Sequence, residues 1–221
     1  MGDDGRVFRC ADDLLRIDHV SRESLPALET YVALLAQWQQ RINLIGPATV
    51  ADIWHRHIAD SLQLLAHLPR GARTIVDLGS GAGLPGLVLA IALMNDPEVT
   101  VHLIESNGKK AAFLREAARQ TGARVAVHQA RIESLDSDPL QGPVDAVVAR
   151  ALAPLPKLLE LARIPLENGA TALFHKGRDA DRELTEAAKY WNIRHTRIAS
   201  LTEAEACILK IEEVTRVTCQ F

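Results

Sequence analysis

The chain has 221 residues, 48% of them apolar, with 25 basic and 28 acidic side chains and a formal net charge of −3. That length suits one substantial domain with an appendage, and the charge excludes a global field that would gather polyanions, so any nucleic-acid contact must come from a local patch. The longest apolar run, Leu84 to Met94, is too short to span a bilayer.

Taken in chain order, the start Met1-Gly2-Asp3-Asp4-Gly5-Arg6 is acidic and lacks the apolar core of a secretory signal. The first dozen or so residues are expected to be disordered. Ser24 then reads as an N-cap with Pro26 in the first turn, and Leu25, Leu28, Val32, Leu35 and Ile42 trace one face of an amphipathic helix. A second helix is expected from Thr49 to Pro69. From Arg73 onward strands and helices alternate. Strands are expected at Thr74–Leu78, Val99–Ile104, Arg124–Gln129, Asp145–Ala149 and Ala170–His175. The helices between them are Pro85–Met94, Lys109–Thr121 (closed by Gly122), Leu155–Ile164 and Ala180–Trp191. The runs Ile193–Ile198 and Cys207–Val214 follow without a helix and could pair as an antiparallel hairpin. This pattern predicts an α/β fold: a mostly parallel, seven-stranded Rossmann-like sheet with helices on both faces. Residues 1–70 would form a helical extension packing over the ligand site, and residues 71–221 the sheet domain. The three cysteines, Cys10, Cys207 and Cys219, lie far apart and outside any Cys-x-x-Cys, as in a reduced, cytoplasmic protein without zinc or disulfides.

The most informative stretch is Thr74-Ile-Val-Asp77-Leu-Gly79-Ser-Gly81-Ala-Gly83-Leu84-Pro85-Gly86. A buried β-branched run, an acid and a glycine turn opening a helix make a nucleotide pocket in open α/β sheets, with bare backbone and free N–H groups at the turn. Three features favour S-adenosylmethionine over a dinucleotide. Asp77 stands two residues before the first glycine, where a carboxylate can reach a ligand's ammonium directly or through water. Pro85 occupies the early helix turn where a pyrophosphate wants an N–H. The chain is also too short for a two-half dinucleotide fold plus a catalytic domain. Against this, Gly81-Ala82-Gly83-Leu84-Pro85-Gly86 matches the dinucleotide fingerprint literally, so an NAD-dependent oxidoreductase is the competing enzyme. A glycine turn without a ligand is the plainest alternative.

Ligands of such sheets sit beyond the carboxyl ends of the strands. The second strand ends at Glu105, where a carboxylate can accept both ribose hydroxyls. The third ends at Ala130-Arg131-Ile132-Glu133, with an apolar side chain to pack on adenine and a carboxylate or backbone group to read its amino group. Glu105 and Glu133 could equally be surface carboxylates. The fourth ends at Arg150, followed by Ala151-Leu152-Ala153-Pro154. No Pro-Pro occurs anywhere, which disfavours adenine amino methylation, and no cysteine lies near a strand end of this region to serve as a nucleophile for pyrimidine carbon-5. Guanine N7, nucleophilic without losing a proton, remains as acceptor, and alignment is the main catalytic task. Arg150 could anchor the donor or contact the guanine.

A second cluster comprises Asn43 and Trp54-His55-Arg56-His57-Ile58-Ala59-Asp60-Ser61-Leu62. His55 and His57 lack a third ligand at suitable spacing, so no metal is expected. The stretch is either a partly buried polar helix face or a lid over the ligand. Lys109, Lys110, Arg115 and Arg119 suit a solvated helix face. Lys176-Gly177-Arg178 is a better candidate for phosphate contact.

These segments together resemble the bacterial small-subunit ribosomal RNA methyltransferase G family, also known as glucose-inhibited division protein B. The likeness runs from about Tyr31 to Ile211. It is carried by Trp38…Asn43-Leu44, by Arg56 through Leu62, by Asp77 through Gly86, by Arg150-Ala151-Leu152-Ala153-Pro154 and by Lys176-Gly177. The resemblance implies a class I methyltransferase fold and transfer of a methyl group from S-adenosylmethionine to N7 of a guanosine in 16S rRNA. By that resemblance the cofactor contacts fall on Gly79, Leu84, Ile132, Glu133 and Arg150. The residues themselves add Asp77, Gly81 and Glu105. Arg150 is also the candidate catalytic residue, and Asn43, Arg56, His57, Asp60, Ser61 and Lys176 are candidates for RNA contact or a lid. The expected partner is the small ribosomal subunit, with the protein a cytoplasmic monomer. A nonenzymatic ribosome-binding module is a third reading.

Overall fold

The computed structural model describes residues 7–134 and 142–217. Cys219 and the first six residues, half of the segment expected to be disordered, lie outside the described residues. The other half of that segment is ordered: a 3-10 turn at Asp12–Arg16 follows Phe8 and Ala11, and Phe8, Ala11 and Leu14 are all buried. Burial of apolar side chains outweighs the acidic character of that stretch.

Seven strands form one sheet in the order β3-β2-β1-β4-β5-β7-β6. They are β1 (Thr74–Leu78), β2 (Thr100–Ile104), β3 (Val125–His128), β4 (Ala146–Arg150), β5 (Thr171–Lys176), β6 (Trp191–Ala199) and β7 (Cys207–Arg216). The first five are mutually parallel, whereas β7 runs antiparallel to both β5 and β6. The order reverses between β1 and β4, so the crest beside those two strands is where a crevice opens.

The helices are α1 (Leu25–Gln39), α2 (Asp60–Leu62), α3 (Gly86–Ala92), α4 (Gly108–Thr121), α5 (Leu155–Leu161), α6 (Arg163–Glu167) and α7 (Ala180–Ala187). Alternate residues of each central strand serve opposite cores. Ile75, Leu103 and Val148 face α3, α4 and the N-terminal helices, while Val76, Ile104 and Val147 face the layer of α5 to α7. Every residue of α3 is buried, as expected of a helix covered on all sides.

Several sequence expectations change in detail. Ser24 does precede α1, but its hydroxyl donates to the Ser21 carbonyl and makes no cap. Asn107 is the side chain that caps, accepting the N–H groups of Lys109 and Lys110 at the start of α4, and Gly122 closes that helix in the left-handed conformation. The single helix expected over Leu155–Ile164 is two, because Pro165 cannot coexist with a helical carbonyl at Leu161, where α5 stops. The long helix expected from Thr49 to Pro69 is a relay of short pieces. A 3-10 turn (Pro47–Asp52) leads into a π-turn (Trp54–Ala59), α2 and a second 3-10 turn (Gln63–His67). The widened π-turn leaves the Arg56 carbonyl accessible to the Arg150 guanidinium at 3.1 Å, and such turns recur at functional sites.

The N-terminal helices pack on the sheet domain at two points that matter for the crest. Tyr31 of α1 is fully buried and donates its hydroxyl to the Ala82 carbonyl of the glycine turn at 2.6 Å. Trp38 packs edge-on against Phe113 of α4 at 5.6 Å.

Candidate active site

Two clefts open side by side at the crest, and most of the sequence-selected residues divide between them. The smaller, about 440 Å³, is walled by Gly79, Gly81, Glu105, Ile132, Glu133 and Leu152, among others. The larger, about 450 Å³, takes Arg56, His57 and Asp60 from the N-terminal segment and Arg150, His175 and Lys176 from the strand ends. Ala151, the residue after β4, lines both. It has a φ of 52°, an unusual conformation for a residue with a side chain.

The smaller cleft is built from the turn after β1. Gly81 has a φ of 55° and donates its N–H to Glu105 Oε2 at 2.9 Å. A Cβ on Gly81 would meet nothing closer than 3.7 Å, so its bare backbone faces open space at the cleft wall. Glu105 is 8% exposed, and its other oxygen accepts the Asn107 N–H at 2.7 Å. Each carboxylate oxygen therefore holds one backbone donor and keeps a second lone pair for a ligand hydroxyl. Ile132 offers an apolar side chain, and Glu133, paired with Lys157 at 3.4 Å, closes the outer edge. A diol acceptor, an apolar surface and a bare turn fit the ribose and adenine of S-adenosylmethionine.

Asp77, Leu84 and Arg150, also expected as cofactor contacts, do not line this cleft. Asp77 has no exposed surface, and its Oδ2 accepts the Gly86 N–H at 3.1 Å. It props the start of α3 from below instead of facing a ligand. Burial pushes its carboxyl up to about 7, while Oδ1 has no hydrogen-bond partner among the described residues. Gly86 is obligatory for this prop, since a Cβ there would lie 2.6 Å from the Asp77 carboxylate. The N–H that a free helix start would offer is thus already used. Leu84 is buried in the core of α3 and α4.

Arg150 turns toward the larger cleft. One nitrogen donates to Asp60 Oδ2 at 3.2 Å and the other to His57 Nδ1 at 3.0 Å. Because arginine can only donate, His57 carries its proton on Nε2 and donates a hydrogen bond from it to Thr49 Oγ1 at 2.7 Å, whose hydroxyl donates to the Gly46 carbonyl. Burial, with the guanidinium beside it, lowers His57 to about 4. His175 donates Nε2–H to the Asp60 carbonyl at 2.8 Å, and burial lowers its pKa also.

Other expected contacts are otherwise employed. Lys176 is buried and spends its ammonium on the Ala153 carbonyl and Glu183, so it anchors α7 and the β4 exit loop and is not free for phosphate. Ser61 is fully buried and donates to the His57 carbonyl. Asn43 is exposed and lines neither cleft. Its neighbours Leu44 and Ile45 do form the larger wall, held by backbone N–H bonds to the Gln39 side chain. Residues 44–60 of the extension border the larger cleft, and none of the extension lines the smaller one.

Six wall residues of the larger cleft were not singled out in the sequence: Ile45, Gly46, His175, Thr202, Glu203 and Ala206. Cys207, expected as the first residue of the last strand and not counted among the strand ends of the ligand region, also stands there, paired in register with Lys176 but 1% exposed and out of a substrate's reach. The available signal was the late hairpin itself, since an antiparallel β7 next to β5 has to begin at the crest.

The family model described as GidB, rRNA small subunit methyltransferase G, matches residues 24–211. The chain is 50% identical over 199 residues to Ribosomal RNA small subunit methyltransferase G of Methylorubrum extorquens, covering 90% of this chain and 93% of the relative. It is 51% identical over 209 residues to the protein of that name from Paramagnetospirillum magneticum, covering 95% and 98%. Among solved structures it resembles cofactor-bound Rv0187 from MTB, with a TM-score of 0.58 at 14% identity over 85% of this chain and 89% of that one. It also resembles M. capricolum TrmK in complex with S-adenosyl-homocysteine, with a TM-score of 0.51 at 12% identity over 69% and 67%. At those identities the structural likeness is one of fold.

Proposed function

The chain belongs to the rRNA small subunit methyltransferase G family, and from that premise we infer that it methylates N7 of a guanosine in 16S rRNA, with S-adenosylmethionine as donor. Family membership removes the dinucleotide oxidoreductase. The observation that carries the reading is the pair of clefts joined at Ala151, one suited to a nucleoside and the other lined by polar groups of the family's segments.

When bound, S-adenosylmethionine supplies an electrophilic methyl group on a sulfonium. Gly79, Gly81, Glu105, Ile132 and Glu133 would hold it in the smaller cleft. Guanine N7 would take the methyl carbon with its own lone pair as the carbon–sulfur bond breaks, the positive charge passing to the base and S-adenosylhomocysteine leaving as a neutral thioether, so no residue has to remove a proton before transfer. The larger cleft agrees with that demand: both nitrogens of His57 are engaged and its basicity is depressed, which leaves it as a fixed prop for Arg150. Arg150 in turn ties the π-turn to the β4 exit, keeping the two clefts in register. Catalysis then rests on alignment and exclusion of water. No helix among the described residues is long and apolar enough to cross a membrane. We propose that the enzyme works as a monomer in the cytoplasm, where its ribosomal substrate is.

The test is methyl transfer from labelled donor to small subunits that lack the modification, followed by mass spectrometry of the released nucleosides. Label recovered as 7-methylguanosine is the expected outcome. A different methylated nucleoside would overturn the assigned chemistry, and absence of transfer would favour the nonenzymatic binding module.

A further inference from the structure

Adenine also carries an unprotonated N7, so an enzyme acting at that atom has to recognise guanine elsewhere on the base. The charged groups of the larger cleft are mostly committed to the protein. Asp60 accepts from Gln63, Thr202 and Arg150, and its side chain is 13% exposed. Arg150 is 17% exposed and holds three partners, and Lys176, at 6%, is tied to Glu183 and Ala153. Arg56 and Glu203 differ: they are 38% and 47% exposed, and among the described residues each forms its side-chain ion pair with the other, at 3.2 Å. Both line the larger cleft and neither lines the smaller.

We propose that the Arg56–Glu203 pair reads the Watson–Crick edge of the guanine, with Glu203 accepting from N1–H and the 2-amino group and Arg56 donating to O6. This rests on the guanosine-N7 reading above. A guanidinium beside a carboxylate presents a donor next to an acceptor, which matches O6 next to N1–H. Adenine presents the reverse order, an amino donor next to a bare N1, and would set donor against donor and acceptor against acceptor. Such mismatches leave desolvated polar groups unpaired, which is how a binding site discriminates strongly between similar ligands. Glu203 is set for the task by the strapped turn between β6 and β7. The Leu201 N–H donates to Gln63 Oε1, Thr202 Oγ1 to Asp60 Oδ1, and the Thr202 carbonyl meets His55 Nε2, all within 3.0 Å. The turn is therefore fixed on the same polar segment that supplies Arg56.

The test compares kcat/KM of the full-length enzyme on small subunits reconstituted with guanosine or with inosine at the target position, inosine lacking the 2-amino group. Wild type should prefer guanosine by about 10- to 100-fold, the worth of one hydrogen bond to a charged group. Glu203→Gln and Glu203→Ala should fall on guanosine toward the inosine rate, with the guanosine-to-inosine ratio approaching one, while the affinity for S-adenosylhomocysteine stays at the wild-type value. A wild-type enzyme indifferent to the 2-amino group, or variants that keep the wild-type ratio, would overturn the assignment of Glu203. Failure of wild type to form 7-methylguanosine from the guanosine substrate would overturn the underlying reading and this one with it.

Discussion

Asp77 was legible in the sequence as the acid before a glycine turn, but its direction was not, because strand position alone does not say which neighbour a buried carboxylate finds. It finds the Gly86 N–H, and burial pushes its pKa from 3.8 up to about 7. Between those values the native chain holds a proton that the unfolded chain has released, so this group's contribution to stability declines as pH rises and levels off above the folded value. His57 acts in the opposite sense: lowered from 6.5 to about 4, it refuses a proton that the unfolded chain accepts, and acid destabilises the fold through it. Asp77→Asn keeps an oxygen for Gly86 and removes the first titration. Urea midpoints taken between about pH 5 and 8 should decline less in the variant than in wild type. Parallel profiles would mean that Asp77 titrates at an ordinary value and does not act as the buried prop described. Gly79 and Gly81 were read correctly as turn residues, and it is Gly81, with its open backbone, that most plainly serves the cleft.

Among elements, those with one dominant local signal came through from the sequence. The β-branched runs gave β1 to β5 to within a residue or two, and Gly122 marked the end of α4. Elements governed by distant partners did not. The segment from Pro47 to His67 has helical periodicity, yet its backbone and side chains bond to Arg150, His175 and the 200–202 turn, more than ninety positions away. Those bonds break it into short turns of different pitch. The contact between α1 and the glycine turn is of the same long-range kind. Tyr31→Phe removes the donor to the Ala82 carbonyl and leaves that carbonyl buried without its partner, which should cost about 1–3 kcal/mol in urea unfolding at an unchanged m-value. An unaltered midpoint would show that α1 is not bonded to the turn.

On the scale of the whole molecule, the smaller cleft was largely readable because its walls lie at the ends of successive parallel strands, and a Rossmann-like order brings such ends together. The larger cleft was readable only in part. It joins residues 44–60, the β4 exit, the end of β5 and the turn before β7, and that assembly depends on β7 inserting antiparallel between β5 and β6. The sequence suggested the hairpin but not its place in the sheet, so Glu203 and Thr202 stayed out of view. In the proposed reaction a methyl group crosses from the smaller cleft to the larger at Ala151. The most direct measurement is a crystal structure of the full chain with S-adenosylhomocysteine. Adenine should lie against Ile132, with the ribose hydroxyls on Glu105 and the sulfur at the Ala151 opening. Ligand density in the larger cleft, with Gly81 and Glu105 untouched, would contradict that placement.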